Sequence, residues 1–134
     1  MIIEAKYFLM IIVVIVTSID LFSQDSNIES KDKKMKLFIT AYELQLMTEN
    51  DNYKNDCFFF VTEQVYLQAL KIDKDNIKLN YNFWTLYNNK VVYLQGLLDE
   101  NMDVKEFKDI EKEITYCMEK AKFYYDRVIE LQNK

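Results

Sequence analysis

The chain has 134 residues, half of them hydrophobic and 15% aromatic, with one Gly and no Pro. That is enough apolar material for one domain with its own core, and the near absence of Gly and Pro disfavours strand-rich folds, whose tight turns draw on both. The net charge of -5 comes from 17 basic and 22 acidic residues without a basic stripe, which argues against nucleic acid, because phosphate binding needs clustered Lys and Arg.

In chain order, the first feature is Tyr7 to Val16, an unbroken apolar run of ten residues. It is too short to span a bilayer comfortably, which takes about 20 residues. It fits the apolar core of a secretory signal peptide, with Lys6 ahead of it and Ser23 as a small residue before a cleavage point. Residues 1–23 are therefore expected to be a signal peptide, and export to the periplasm or the cell exterior follows, with a processed chain starting at Gln24. The alternative is a retained N-terminal anchor, against which Asp20 counts, since a carboxylate is costly inside a membrane. Residues 24–32 are polar and patternless and read as a flexible leader. Residues 33–134 read as one helical domain.

Four helices are predicted in that domain. The first spans about Lys31 to Thr48, where Leu37, Phe38, Ala41, Leu44 and Met47 recur at the spacing of one helix face. After the break at residues 49–52, the second starts near Asn55-Asp56, either of which can cap it, and runs through Val61, Val65 and Ala69 to Ile72. The third covers Ile77 to Leu98, with a stripe of Leu79, Phe83, Leu86, Tyr87, Val91, Leu94 and Leu98. The fourth carries the clearest pattern: Val104, Phe107, Ile110, Ile114, Cys117, Ala121, Tyr124, Val128 and Leu131. Asp103 followed by Glu106 predicts a capping box at its start. The short turn at 99–103 makes helices three and four an antiparallel hairpin.

One junction is more specific than periodicity. Ala69-Leu70-Lys71-Ile72-Asp73-Lys74-Asp75-Asn76 resembles the end of a tetratricopeptide (TPR) unit, and Asn80 to Tyr87 (NYNFWTLY) resembles the first helix of the next. Ala121 to Leu131 (AKFYYDRVIEL) is similar to that unit's second helix. The departures are Lys74 in the place of the usual Pro, Trp84 in the place of a small residue, and 33 residues between Tyr87 and Ala121, so the hairpin is elongated, as in small exported bacterial members. The resemblance implies antiparallel hairpins stacked as a short array, about four helices in all, because a lone hairpin cannot bury both faces. It implies close helix approach at Ala121 and aromatic filling between hairpins by Phe83, Tyr87 and Tyr125. It also implies a concave partner-binding surface lined by Lys78, Tyr81, Asn82, Thr85 and Asn89.

Residues that carry chemistry are sparse. There is no His, which removes the commonest general base, the Ser-His arrangement and His metal sites. Gly96 stands alone, so no Gly-rich phosphate loop exists. Glu111, Lys112, Glu113, Glu119, Lys120 and Lys122 read as a solvated helix face. No catalytic, cofactor-binding or metal-binding residues are assigned, and no cofactor is expected. Cys57 and Cys117 could form one disulfide in an oxidising compartment, although Cys117 lies on an apolar stripe and reads as a small core residue. Phe58, Phe59 and Phe60 cannot all face one side of a helix, so at least one is exposed or meets another element. The expected function is a non-catalytic protein–protein interaction scaffold whose partner is an unknown protein or peptide, with self-association as a further option. Membrane contact is expected only if the N-terminal segment is retained.

Overall fold

Four helices and no strand make up the described residues, 27–134 of the computed structural model, with side chains described from Lys31 onward. They are α1 (Asn27–Asn50), α2 (Asp56–Ile72), α3 (Ile77–Leu97) and α4 (Val104–Gln132). The all-α expectation holds, and each predicted helix is present. The first begins earlier than its apolar pattern does, so residues 27–32 of the supposed leader continue α1. The signal peptide expected over residues 1–23 lies outside the described residues.

Side chains punctuate the helices where Gly and Pro are missing. At the end of α1 the Tyr53 N–H donates to the Thr48 carbonyl (3.0 Å) and the Asn52 N–H to Glu49 (2.9 Å). This is the paired closure of a Schellman motif. Asn52 sits in the left-handed region at φ 52°, which Asn tolerates best after Gly. Tyr53 follows it there at φ 59°, an unfavourable place for a bulky side chain. Asn55 caps α2, accepting from the Cys57 N–H at 2.9 Å. Asn76 caps α3 by accepting from Leu79 N–H at 3.0 Å. Asn80 donates to the carbonyls of Lys74 and Asn76 at 3.0 and 2.8 Å, which closes the α2–α3 turn. Asp103 caps α4, accepting from Lys105 N–H at 2.9 Å and Glu106 N–H at 3.4 Å. The return bond from Glu106 that would complete the box is not made.

Two hairpins result: α1 packs along α2, and α3 along α4 over a longer seam. The hairpins meet along the narrower α2–α3 contact, and aromatic rings fill that junction. Tyr66 of α2 stacks on Phe83 of α3 at 5.2 Å, and Phe59 meets Tyr87 edge-on at 5.8 Å. Phe83 and Tyr87 also lie against Tyr124 of α4, at 4.4 and 6.0 Å. Phe83 is wholly buried, and Tyr66, Tyr87 and Tyr124 are nearly so. Tyr125, expected to share this filling, is 46% exposed; the next residue along an α-helix turns by about 100°, and Tyr124 takes the inward position instead. Ala69 and Ala121 are buried, and their small side chains suit close helix approach. Phe58 and Phe59 are buried while Phe60 is 56% exposed, as three consecutive rings require.

Phe83→Ala should cost about 3–5 kcal/mol, because it opens a cavity in the ring cluster. Phe123→Ala, at a side chain 61% exposed, should stay within about 0.5 kcal/mol. Urea unfolding followed by circular dichroism compares the two; equal losses would contradict this assignment of the core.

Candidate interaction surface and the buried polar anchors behind it

Charged and polar side chains inside the molecule tie the hairpins together. Glu63 of α2 is 8% exposed. Its Oε1 accepts from the Tyr87 hydroxyl and, at 2.9 Å, from the Tyr116 hydroxyl. One carboxylate thus links α2, α3 and α4, and charge-assisted bonds of this type are the strong ones. Burial, then the bond to Glu63, holds both phenols above their usual pKa.

Lys90 is the second anchor. Its side chain is 1% exposed. Nζ lies 2.7 Å from Asp56 Oδ1, 3.3 Å from the Tyr53 carbonyl and 3.7 Å from Glu113 Oε1. It also sits over the rings of Phe59 (5.3 Å) and Tyr93 (5.1 Å), an arrangement that favours a cation. Asn89 donates to the Tyr53 hydroxyl at 3.1 Å. Tyr53 is held from both its carbonyl and its hydroxyl, so the unfavourable backbone at that residue is offset by its anchorage to α3. Glu113, expected on a solvated face, keeps 42% of its side chain exposed while its carboxylate lies toward Lys90.

Between α1 and α2 the hydroxyls of Thr48 and Thr62 lie 2.9 Å apart. Each also approaches the carbonyl one turn back, Leu44 at 2.8 Å and Phe58 at 2.7 Å. A hydroxyl has one proton, so one threonine donates along its own helix and the other donates across. The Tyr66 hydroxyl donates to Gln45 of α1, with Asn82 of α3 on its other side.

The residues proposed for a concave surface divide in two. Lys78 and Tyr81 are exposed, and Tyr81 rests edge-on against Trp84 at 5.2 Å. Asn82, Thr85 and Asn89 are half-buried. Asn82 and Asn89 serve the contact with Tyr66 and Tyr53, and the Thr85 hydroxyl donates back to the Tyr81 carbonyl at 3.0 Å. They do not form one open polar row. Cys57 is exposed at the start of α2, Cys117 is buried mid-way along α4, and both thiols are free. The disulfide is not formed, because one sulfur faces water and the other faces the core. Burial pushes the Cys117 thiol up to about 12.

Two of the depressions among the described residues lie beside these anchors and along the α3–α4 seam. An open cleft of about 520 Å³ beside Lys90 is lined by Asp56, Tyr93, Asp103, Glu106, Asp109 and Glu113 among others. A second, of about 380 Å³, runs between α3 and α4 over Trp84, Asn88, Val91, Met118, Ala121 and Tyr125. Trp84 and Tyr125 lie 5.4 Å apart, and Met118 and Tyr125 are 54% and 46% exposed. This groove is mainly apolar and bounded by rings, with Asn88 and Lys122 also in its lining, and aromatic residues and Met are enriched at protein interfaces.

Sequence reasoning missed Glu63, Lys90 and Tyr53. For Lys90 a signal existed: it falls on the stripe of Phe83, Leu86, Tyr87, Val91 and Leu94, so a lysine there must bury its stem. Glu63 stands likewise between Phe59 and Tyr66 on the inner face of α2.

Three outcomes follow from the anchors. Tyr87→Phe should cost about 1.5–3 kcal/mol, since Glu63 loses a buried donor. Lys90→Met should stay within about 1 kcal/mol, because Asp56 and Glu113 remain water-accessible when the ammonium is removed; a larger loss in chemical unfolding would assign the charge itself a stabilising role. Raising pH tests the tyrosines. Burial pushes Tyr53 and Tyr124 up to about 12, against about 10 in the unfolded chain. Between these values the folded state holds protons that the unfolded state has released, so stability is full below pH 10 and falls as pH rises toward 12. Phenolate absorbance at 295 nm should show exposed tyrosines titrating first and the buried ones in one step with loss of helix. Titration of every tyrosine near pH 10 without unfolding would contradict the burial.

No family model matches this chain, no curated protein is significantly similar to it, and no solved structure matches it.

Proposed function

We propose that the protein is a non-catalytic protein–protein interaction scaffold of the TPR type, exported to the periplasm or the cell surface. Its α3–α4 groove is the surface offered to an apolar segment of a partner protein. The observation that carries this reading is the gathering of exposed Met118 and Tyr125 with half-buried Trp84 around one depression on a well-packed hairpin. Large apolar side chains gathered in one exposed patch mark interaction sites more often than scattered ones do, and aromatic residues and Met are enriched in such contacts. Support for the repeat type comes from motif positions: Ala69, Phe83, Tyr87 and Ala121 are buried where the TPR pattern places packing residues. Support for export is the apolar run of residues 7–16 with the small Ser23 after it. Among the described residues no helix is long and apolar enough to cross a membrane.

The partner surface is tested by photo-crosslinking in the native cells, with the reactive amino acid placed at Met118 in the groove and, as a control, at the exposed Lys108. A discrete adduct from position 118 and none from 108 is expected. No adduct, or equal yields from both positions, would contradict the assignment. N-terminal sequencing of the recovered protein should begin at Gln24; a start at Met1 in the membrane fraction would overturn the export reading in favour of a tethered subunit.

A further inference from the structure

A different surface, on the opposite hairpin, points to another partner. The inner face of α1 buries Leu37, Ala41, Leu44 and Thr48. Directly opposite stand Met35, Ile39, Tyr42 and Leu46, exposed by 58, 50, 50 and 40%. Their spacing of four, three and four residues is that of two heptads of a coiled-coil seam. One helix face bearing four large apolar side chains in this register matches a second helix of the same periodicity.

Charge along α1 says which helix. Lys31, Lys33, Lys34 and Lys36 outnumber Glu29 and Asp32 in its first half, whereas residues 37–50 contain Glu43 and Glu49 and no Lys or Arg. Lys34 is engaged with Asp73 at 2.5 Å. Lys36 and Glu43 are both exposed and flank the apolar seam. A helix basic at one end and acidic at the other is complementary to its own reversed copy. We infer that α1 is a homodimerisation surface, pairing antiparallel with α1 of a second copy about a two-fold axis near its centre.

In that pairing Met35 faces Leu46 of the second copy and Ile39 faces its Tyr42. Lys36 lies beside Glu43 of the second copy, and the two-fold axis repeats the pair. A parallel pairing would instead set the lysine-rich halves against each other, at a cost in like-charge repulsion. The two-fold contact is closed, so it stops at a dimer. The seam is about 17 Å long at 1.5 Å per residue, shorter than a standard interface provides. The dimer is accordingly concentration-dependent, with a dissociation constant on the order of micromolar.

Sedimentation equilibrium of the protein as recovered from its own cells tests this. The mass should double over the micromolar range. Ile39→Glu, placed opposite the core, should leave the helical circular dichroism unchanged and abolish the dimer. Lys36→Glu and Glu43→Lys should each weaken association at least about tenfold. An equimolar mixture of the two should recover it as a heterodimer, because both cross-pairs become attractive, and added salt should weaken that recovery. A protein that stays monomeric to about 1 mM would overturn the inference. So would a dimer that tolerates Ile39→Glu, or charge variants that associate as well alone as mixed. The Met118 crosslink in the α3–α4 groove reads a separate surface, so the two proposals fail independently.

Discussion

The contact between Tyr66, Phe83, Tyr87 and Tyr124 is what the rest of the structure depends on. The two hairpins touch along a narrow strip of backbone, so few small side chains can hold them together. Large rings span the remaining distance, and each brings more apolar area to the junction than an aliphatic residue would. Once Phe83 and Tyr87 are pinned between α2 and α4, the rotation of α3 is set. That rotation decides which residues of α3 and α4 face outward, and hence that Trp84, Met118 and Tyr125 border a common groove.

Polar anchors add direction to this apolar junction. Rings alone would tolerate sliding along α3, whereas Glu63 accepts from one hydroxyl on α3 and one on α4 and so discriminates between registers. Lys90 does the same at the other end by reaching into the α1–α2 loop. Buried charges of this kind are weak contributors to net stability, because desolvation offsets much of the attraction. Their value here lies in specifying one arrangement of two hairpins. Strain follows the same logic: Tyr53 holds an unfavourable backbone conformation at the point where Asn89 and Lys90 seize it.

Helix number, helix ends and most core positions were legible because they follow from periodicity and capping. Asn55, Asp103 and the stripe of α4 needed nothing beyond local rules. Register between hairpins was not legible. Tyr124 lies on the α4 stripe and turns inward as that periodicity requires, whereas the resemblance pointed to its exposed neighbour Tyr125. Asn82 and Asn89 looked like groove residues by resemblance but are occupied by Tyr66 and Tyr53, contacts between segments remote in sequence. The N-terminal extension of α1 through residues 27–32 was missed because that stretch has no apolar pattern and helix formation there continues from the packed portion. Glu63 and Lys90 were readable in principle, since each interrupts an apolar stripe, but their hydrogen-bond and ion-pair partners lie more than 20 residues away.

The interaction reading rests on the hairpins forming one rigid body that presents its outward faces in a constant relation. Native-state hydrogen exchange measures that property directly. The central amides of α2, α3 and α4 should share one opening free energy equal to that of global unfolding, because breaking the ring junction releases both hairpins together. Two distinct values, with α1 and α2 opening while α3 and α4 stay protected, would show independent hairpins and contradict the account.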